Sequence, residues 1–571
     1  MIANSSDSLK PSGFEPEFAI GITGHRDLAS DETDRIRESI SDEIKKIATL
    51  LPHVPVRIIS GLAEGADTIA VEAALTLGIR VSAILPMPLA AYRGDFSGPA
   101  LEKFDALVAD SRIDVSEIPM GEAENRNDQY SLLGDYLVRR SNLLLAVWNG
   151  EQTGLQGGTS DVLMRFLGDG RQNTLNFIKV DSNQADGCGN VLTWIPAKRI
   201  SSDVTAQSDK PSHLISNANY DCFWSDTEIP ASVMTRWKGF DEFCVERSSS
   251  LAADLPGYGL GNAISKDCSN EISGLDAEFV RSDQIARHFQ LKSHRMFALF
   301  GLLAAGMGLA FLVYAKLLAD KNLLLIYVGL FVVGFIGFRY THRQHLHSKH
   351  LAYRVLAETL RVQYFLILSG AGGKYNLRRI LSLTSVDQFA RFEWLQEALR
   401  VCEPVVYSSQ NRSDSILEAL KQGWISDQLK YFEKKRAAMH RQHRRLEAIK
   451  FALLVGSVVG ALTLVFFKKD LLYLDVIGYD GKAWLVFFMG LLPLWAAVWE
   501  LYQGKMATRE LLWQYANQAK YFRRAEYEID QVSEITDIQR LVRDLADKAL
   551  IEIYMWSVHR FHREHEPPAA G

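Results

Sequence analysis

Four long segments without charged residues constrain the fold of this chain more than any other feature. The first, residues 296–315, would be about 30 Å long as a helix, which matches the hydrocarbon thickness of a bilayer. Residues 323–338, 451–467 and 483–499 are similarly apolar, and the four segments form two pairs separated by short polar loops. A buried core helix could explain one such segment, but two tight pairs predict four transmembrane helices in two hairpins.

Basic residues flank these hairpins mainly on one side. Residues 430–450, directly before the third segment, contain eight Lys or Arg, and residues 339–350 add three more. The loops inside the hairpins contain only five lysines, which are Lys316, Lys321, Lys468, Lys469 and Lys482. The positive-inside rule therefore places both termini and the segment between the hairpins in the cytoplasm. Anionic lipids would attract the basic helix ends.

The two hairpins resemble weak copies of one unit. Tyr364-Phe365 and Tyr521-Phe522 follow their hairpins at similar distances, each in an amphipathic stretch that predicts a cytoplasmic helix. The GxxxG pattern from Gly456 to Gly460 predicts a close helix contact. None of the four segments contains an acidic or basic residue, which argues against a carrier with a charged site inside the membrane.

Composition excludes two further classes of site. The net charge of -5 argues against nucleic acid as a partner, because phosphate binding needs a basic surface. The five cysteines form no CxxC pair, and the histidines after the second segment have mixed spacings. We therefore predict no metal site. The histidines concerned are His342, His345, His347 and His350.

The N-terminal part alternates apolar runs with amphipathic ones, as a parallel sheet with crossover helices does. Strands are predicted at residues 18–24, 56–60, 81–86 and 142–150, and further ones at 173–180 and 191–196. In such open sheets the ligand lies beyond the carboxyl ends of the strands. Three Gly-containing loops follow strands there, so we expect them to form one site for a phosphorylated ligand.

Several residues of these loops have an alternative reading. Glu64 and Asp67 could contact ribose hydroxyls or could stabilise the start of the helix near Ala66. His25 and Arg26 could bind phosphate, although Arg26 could equally form a surface salt bridge. The candidate residues of the three loops are Gly24, His25, Arg26, Ser60, Gly61, Glu64, Gly65, Asp67, Gly157, Gly158, Thr159 and Asp161.

The ordered set GITGHRD, SGLAEGAD, LLLAVWNG and GGTSDV resembles the SLOG superfamily of Rossmann-like nucleotide-binding domains. SGLAEGAD is also similar to the corresponding loop of DNA-processing protein A. The segment containing Leu85-Pro86, Tyr92 and Asp95-Phe96 belongs to the same resemblance and adds Tyr92 to the candidate site. The resemblance implies a nucleotide-derived ligand such as a cyclic oligonucleotide, an ADP-ribose derivative or NAD.

The remainder of the chain resembles SLATT domains, the two-span modules that accompany SLOG domains in bacterial conflict systems. The sequence ALIEIYMWSVHRFHREHEP resembles the closing helix of that family. Together the two resemblances imply a sensor in the bacterial inner membrane that acts in anti-phage defence. Four spans are too few for a wide pore, so a conducting form would be a homo-oligomer.

Catalysis is less favoured than sensing, because a catalytic motif is not preserved. LONELY GUY phosphoribohydrolases, which are SLOG enzymes, use PGGxGTxxE, whereas this chain has QGGTSDVLM, in which Asp161 is the only acid. Three functions stay open: a ligand-gated membrane effector, a membrane-anchored nucleotide hydrolase of N-glycosidase type, and a membrane scaffold without a ligand. The first is preferred.

The predicted fold is an α/β Rossmann-like parallel sheet domain followed by an all-α transmembrane region of four helices in two hairpins with long cytoplasmic helices. The predicted domains are a polar tail at 1–16, the SLOG-like domain at 17–200, a linker or excursion at 201–280, and two-span units at 281–410 and 411–571. The last unit ends in a cytoplasmic helix.

Overall fold

The computed structural model divides the chain into two compact units, each of which is considered by itself. The first contains Met1–Ser250, Asp267–Glu278 and Gly370–Asn411, and the second contains Leu251–Lys266, Phe279–Ser369 and Arg412–Gly571. The residues described by the structure are 16–118, 125–168, 178–182, 187–201, 210–217, 220–249, 255–260, 270–371, 393–402, 414–476, 478–505, 508–532 and 534–561.

A mixed sheet with a parallel half forms the centre of the first unit. Over the described residues it has nine strands in the order β4-β3-β2-β1-β5-β7-β8-β9-β6. The strands are β1 Phe18–Gly24, β2 Val56–Ser60, β3 Arg80–Leu85, β4 Ile113–Glu117, β5 Leu143–Trp148, β6 Ile178–Lys179, β7 Val191–Pro196, β8 Ser212–Ser216 and β9 Cys222–Asp226. The pairs from β4 to β7 are all parallel, and β1 and β5 read as continuous apolar runs because both of their faces are covered.

Helices cover the sheet as crossover connections between its parallel strands. In α1, Ile36, Ile40, Ile44 and Ile47 are spaced by one turn and are all buried. The helices of this unit up to residue 248 are α1 Thr33–Leu50, α2 Ala66–Thr76, α3 Leu89–Tyr92, α4 Gly98–Val108, α5 Arg126–Arg140, α6 Thr159–Leu167 and α7 Ala231–Ser248. Short 3-10 turns lie at Ser30–Glu32 and Arg93–Asp95. The predicted Rossmann-like fold is confirmed.

The sheet continues beyond residue 200, where a linker or excursion was predicted. Strand β8 pairs antiparallel with β7, and β9 pairs antiparallel with β8. Their short apolar sets, which include Leu214, Ile215 and Trp224, are buried although the surrounding sequence is polar. That polar composition misled the prediction, since each of these short strands buries only a few apolar residues. Of the predicted strand at 173–180, residues 173–177 lie outside the described part of the chain.

The second unit is helical. Its helices are α8 Asn270–Lys316, α9 Lys321–Gln344, α10 Leu346–Leu368, α12 Asp414–Leu420, α13 Asp427–Tyr473, α14 Gly481–Lys505, α15 Thr508–Ile529 and α16 Ile535–Phe561, while α8 begins within the first unit. A further helix, α11 (Trp394–Cys402), belongs to the first unit although the predicted boundaries placed it in a two-span unit. One π-turn, Lys421–Ser426, joins α12 to α13.

Within the described residues, four helices are long and apolar enough to cross a membrane, in agreement with the predicted helical region. They are α8, α9, α13 and α14, and they contain the four charge-free segments. A two-strand turn, β10 Asp475–Val476 with β11 Tyr479–Asp480, closes the second hairpin. The first hairpin closes between Lys316 and Lys321.

Small residues bring these four helices close together. A Cβ added at Gly460 would lie 3.0 Å from Met489 Cγ, and one at Gly456 would lie 3.4 Å from Leu492 Cδ1, so the GxxxG face meets α14. Between the two hairpins, Gly308 of α8 faces Leu494 of α14 so closely that an added Cβ would collide with the leucine side chain. Hairpin packing therefore depends on glycine at position 308.

We expect Gly308→Leu to separate the hairpins and to lower the melting temperature of the detergent-solubilised protein, because overpacking costs about 1–3 kcal/mol. Gly301→Leu is the matched control, since Gly301 lies two turns earlier in the same helix and a Cβ there meets nothing within 4 Å. The measurement is a thermal melt of both variants beside the wild type. Equal melting temperatures for the two variants would contradict the contact.

Candidate functional site

A cavity of about 300 Å³ lies at the carboxyl ends of the parallel strands in the first unit. Its walls come from the residues after β1, the starts of α2 and α6, one face of α5, and Arg199 after β7. The three predicted loops thus meet, as expected from the open sheet. Predicted residues in the lining are Gly24, His25, Arg26, Asp67, Tyr92, Gly157, Gly158 and Thr159.

Five predicted residues do not line this cavity: Ser60, Gly61, Glu64, Gly65 and Asp161. Glu64 is exposed to solvent. The others form hydrogen bonds or backbone contacts that shape the loops, which the next paragraphs describe. Their small or acidic side chains therefore act in the architecture of the site, and the prediction that the whole loop set faces the ligand differs from the structure.

Asp67 holds the loop after β2 in place. Its Oδ2 accepts hydrogen bonds from Ser60 Oγ at 2.8 Å and from the Gly61 backbone N–H at 2.9 Å. Ser60 Oγ in turn accepts one from the Leu62 N–H at 3.0 Å. Burial raises the pKa of the Asp67 carboxyl to about 6, against these hydrogen bonds. Of the two readings of Asp67, stabilising the loop and the start of α2 is the one that the contacts support.

Gly65 allows the loops after β1 and β2 to touch. Its φ of 81° is in the region that favours glycine, and an added Cβ would lie 2.5 Å from the carbonyl oxygens of both His25 and Arg26. The next residue, Ala66, donates its N–H to His25 O at 3.1 Å. The close approach that glycine permits here is therefore between two stretches of backbone, where the sequence analysis expected a ligand.

His25 is turned toward Asn149 at the end of β5. His25 Nε2 lies 2.9 Å from Asn149 Oδ1 and 3.2 Å from the Asn149 backbone N–H. Burial is the largest influence on His25 and lowers its pKa, so the ring is neutral near pH 7. A neutral imidazole is a poor partner for phosphate compared with an arginine. Of the predicted pair, only Arg26 brings a positive charge.

Arg26 is exposed, and its guanidinium lies 5.2 Å from the centre of the Tyr130 ring. This cation–π contact leaves the planar donor fork at the cavity, where it can bind a carboxylate or phosphate. Tyr130 is anchored by a short hydrogen bond from its hydroxyl to Asp95, which also pairs with Arg126. The aromatic ring thus positions the charge.

Tyr92 lines the cavity, and its hydroxyl is buried. The side chain is fully buried against Phe96 and Phe104, with ring centroids 5.1 and 5.7 Å away. Within the described chain, no group forms a hydrogen bond with Tyr92 Oη. An unsatisfied buried hydroxyl costs about 1–3 kcal/mol, so a ligand group that reached it would recover a hydrogen bond.

The start of α6 forms another wall. Gly157 donates its N–H to Asp161 Oδ2 at 2.8 Å, and Asp161 also pairs with Arg165 at 3.0 Å. Gly157 has a φ of 73° and packs on α5, where an added Cβ would lie 2.8 Å from Ser131 N. Asp161 is thus engaged in the loop, while the first amides of α6 provide the positive end of a helix dipole at the cavity.

Sequence reasoning missed several residues in the lining. Arg199 follows β7 and could have been found by extending the rule of carboxyl ends to that strand; it donates Nε–H to Asp27 at 2.9 Å. Tyr130 lies inside a helix, and no sequence signal pointed to it. The missed residues with polar side chains are Thr23, Asp27, Tyr130, Trp148, Glu151, Thr153, Ser160 and Arg199.

A second depression and the predicted histidines are weaker candidates for a functional site. A wider depression lined by Asp42, Lys45, Lys46, Thr49, Leu50 and Lys238 is open surface away from the strand ends. Among the residues that the structure describes, no group of three or more His, Cys, Asp or Glu is arranged to hold a metal ion. Of the predicted histidines, His347 lies 2.9 Å from Arg560 O and His350 lies 3.2 Å from Ala286 O.

Comparisons with known proteins add little to this geometry. No protein-family model matches the chain, and no curated protein matches it. A structural match was found to DNA processing protein A from Streptococcus pneumoniae, with 18% sequence identity and a TM-score of 0.20. The match covers 30% of this chain and 52% of that protein's chain, about half of its length. A similarity this low supports no conclusion about the function of this chain. The strand order and the cavity define the class: a Rossmann-like α/β domain with an open site at its strand ends, joined to a helical region with four membrane-competent helices.

We expect Gly65→Ala to destabilise the protein strongly, because the new methyl group meets two carbonyl oxygens. Gly78→Ala is the matched control: Gly78 also has a positive φ, 72°, but an added Cβ there meets nothing within 4 Å. Both positions have a positive φ, and Gly65 also has a ψ of -117°, so the difference in unfolding free energy, about 2 kcal/mol, reports the clash together with the additional backbone strain at Gly65. Denaturant unfolding monitored by tryptophan fluorescence measures it. Similar stabilities would show that the two loops do not touch.

The second prediction for this site concerns pH. The folded protein retains a proton on Asp67 up to a pKa of about 6, above its ordinary value of 3.8, so the unfolded chain binds fewer protons between pH 4 and 6. Stability from this group is present below pH 4 and is lost as pH rises through 6. Asp67→Asn stays neutral. Its stability relative to wild type should rise by about 2 kcal/mol from pH 4 to pH 7, measured by denaturant unfolding at both values. Parallel pH profiles would argue against a buried Asp67.

Proposed function

We propose that this protein is a ligand-responsive membrane effector, in which a nucleotide-derived ligand binds at the strand ends and drives the transmembrane helices to permeabilise the membrane. The observation that carries the proposal is the buried hydroxyl of Tyr92, a residue that lines the cavity, because this hydroxyl lacks a hydrogen-bond partner within the described residues. A polar atom kept in that state is expected where a ligand supplies the missing partner.

The charge and shape of the cavity favour a phosphorylated, aromatic ligand. Arg26 and the first amides of α6 supply groups for phosphate, as described above, on two different walls. Tyr130 and Trp148 supply aromatic surface, and Asp27 and Glu151 supply acceptors for hydroxyl groups such as those of ribose. Cyclic oligonucleotides, ADP-ribose derivatives and NAD share this combination of groups.

The membrane output is a proposal from the composition of the spans. Because the four apolar segments contain no charged residues, one chain offers no charged ion-binding side chain inside the membrane, so conduction needs a homo-oligomer with a hydrophobic constriction that wets on opening. Ion selectivity would be poor. The basic flanks support cytoplasmic termini in a bacterial inner membrane with anionic lipids. The role in anti-phage defence rests on the resemblance of the motifs to SLOG and SLATT modules.

The alternative is a membrane-anchored nucleotide hydrolase, and one observation favours it. Asp67 lines the cavity with a pKa raised to about 6 by burial, which suits a general acid or base near neutral pH. Asp161, in the position of the expected catalytic acid, binds Gly157 N–H and Arg165 instead. An Asp67-dependent release of a free base from NAD or ADP-ribose would favour the hydrolase over the effector.

The decisive experiment reconstitutes the full chain in dye-loaded liposomes and adds ADP-ribose, NAD or cyclic di-AMP in turn. We expect one of them to bind without being consumed and to release the dye. Tyr92→Phe should weaken binding about tenfold, since one hydrogen bond of about 1.4 kcal/mol is lost, without lowering thermal stability. Tyr220→Phe, a buried tyrosine outside the cavity, is the control.

Gly308→Leu provides the complementary arm of this experiment. It should leave binding intact and change dye release, because the substitution acts within the membrane helices. If the liposomes retain the dye and any of the three compounds is consumed, the results would support the hydrolase instead of the effector. Equal affinity of wild type and Tyr92→Phe for a bound compound would place the ligand elsewhere.

A further inference from the structure

Helix α11 lies between the two hairpins in sequence but packs within the first unit. Trp394 stacks on Phe243 of α7 with ring centroids 4.9 Å apart, and Arg140 of α5 donates Nη1–H to Val401 O at 2.6 Å. The chain that leaves the first hairpin is thus anchored on the ligand-binding domain before it enters the second. This anchorage has no role in the proposed site as described above.

Arg400 is the central contact of α11. Its Nη1 donates to Ser141 O at 2.5 Å and to Val138 O at 3.3 Å, both at the carboxyl end of α5. Its Nη2 donates to Asn190 Oδ1 at 2.5 Å, and its guanidinium lies 5.6 Å from the Phe166 ring of α6. A buried cation at the carboxyl end of a helix satisfies carbonyls that have no partner within the helix. Arg400 therefore holds the ends of α5 and α6 together.

Glu397 extends the same contact to the sheet. One of its oxygens, Oε1, pairs with Arg236 Nε at 2.9 Å, and the other, Oε2, accepts from Asn142 Nδ2 at 2.6 Å. Asn142 Oδ1 accepts the N–H of Ala19 at the start of β1 at 2.9 Å. All of these side chains are buried. The cluster lies at the amino ends of β1 and β5, opposite to the cavity.

The same two helices also form walls of the cavity. Tyr130, Leu133, Gly134 and Leu137 of α5 line it, as do the first residues of α6. The two helices are joined midway by Arg165, which pairs with Asp135 at 2.7 Å. A helix of fifteen residues is about 22 Å long and moves nearly as a rigid body, so a displacement at one end reaches the other.

We propose that Arg400 is a positioning residue that sets α5 and α6 around the cavity and thereby links ligand occupancy to the docking of α11, the segment between the two hairpins. The inference rests on the proposed function, because it describes how the same cavity would be regulated. Linkage is reciprocal: a ligand that orders α5 must also favour the docked α11, and undocking α11 must weaken the ligand.

Hydrogen exchange of the full-length protein in detergent tests the link without any ligand. Arg400→Ala should raise exchange at least tenfold in residues 126–140 and 159–167, with α1 unchanged, and Arg400→Lys should restore part of the protection because it keeps a donor. Arg112→Ala is the matched control, since Arg112 donates to Leu75 O near the end of another helix of the same unit at 3.2 Å. Unchanged exchange in 126–140, or a uniform rise that includes α1, would overturn the proposal.

A second arm uses ADP-ribose as the probe, with NAD and cyclic di-AMP tested in the same way. A compound that binds the wild type should slow exchange in residues 393–402 as well as in 126–140, and should bind Arg400→Ala about tenfold more weakly. Slower exchange in 126–140 with residues 393–402 unaffected would overturn the link. If none of the three binds, the proposed ligand class fails, while the ligand-free arm still decides the role of Arg400.

Discussion

The contact between the loops after β1 and β2 is the interaction on which the site depends. The hydrogen bond from Ala66 N–H to His25 O joins the carboxyl ends of two adjacent strands, and it forms only because Gly65 has no side chain. Once the loops are joined, Arg26 is held over Tyr130 and Asp67 can bind back to the end of β2. Both arrangements are made by residues of the chain itself and fix the shape of this part of the cavity wall.

The parts of the fold that could be predicted from the sequence are those built from long, continuous apolar runs. The charge-free segments and the continuous apolar runs of β1 and β5 leave few alternatives, because each satisfies its backbone only in a long helix or a covered strand. Strands β8 and β9 escaped prediction since each is short and buries only a few apolar side chains. The position of α11 could not be predicted at all, because it depends on Arg400 and Glu397 meeting residues more than 150 positions away.

The candidate site, like the fold, could be predicted from the sequence only in part. Position at a strand end located the loops, but only the backbone conformation shows which residues face inward. Gly65 and Asp67 have sequence features that suit a phosphate loop, but Gly65 meets backbone, and Asp67, although it lines the cavity, binds Ser60 and the Gly61 N–H. Arg26 and Tyr92 do face the cavity. Residue type therefore predicted the region of the site. The structure was needed to show which residues line the cavity and which ones hold the loops in place.

The interleaving of the two units has a consequence for how the protein is made. The first unit takes up α11, so its buried cluster around Glu397 cannot close until about 400 residues have left the ribosome. By then the first hairpin has been synthesised and is available to the insertion machinery. Until then, Asn142, Arg236 and Trp237 lack their acidic partner, Glu397. Completion of the first unit therefore follows synthesis of the first hairpin, so that a chain released from the ribosome before Glu397 lacks the buried partner of Asn142 and Arg236.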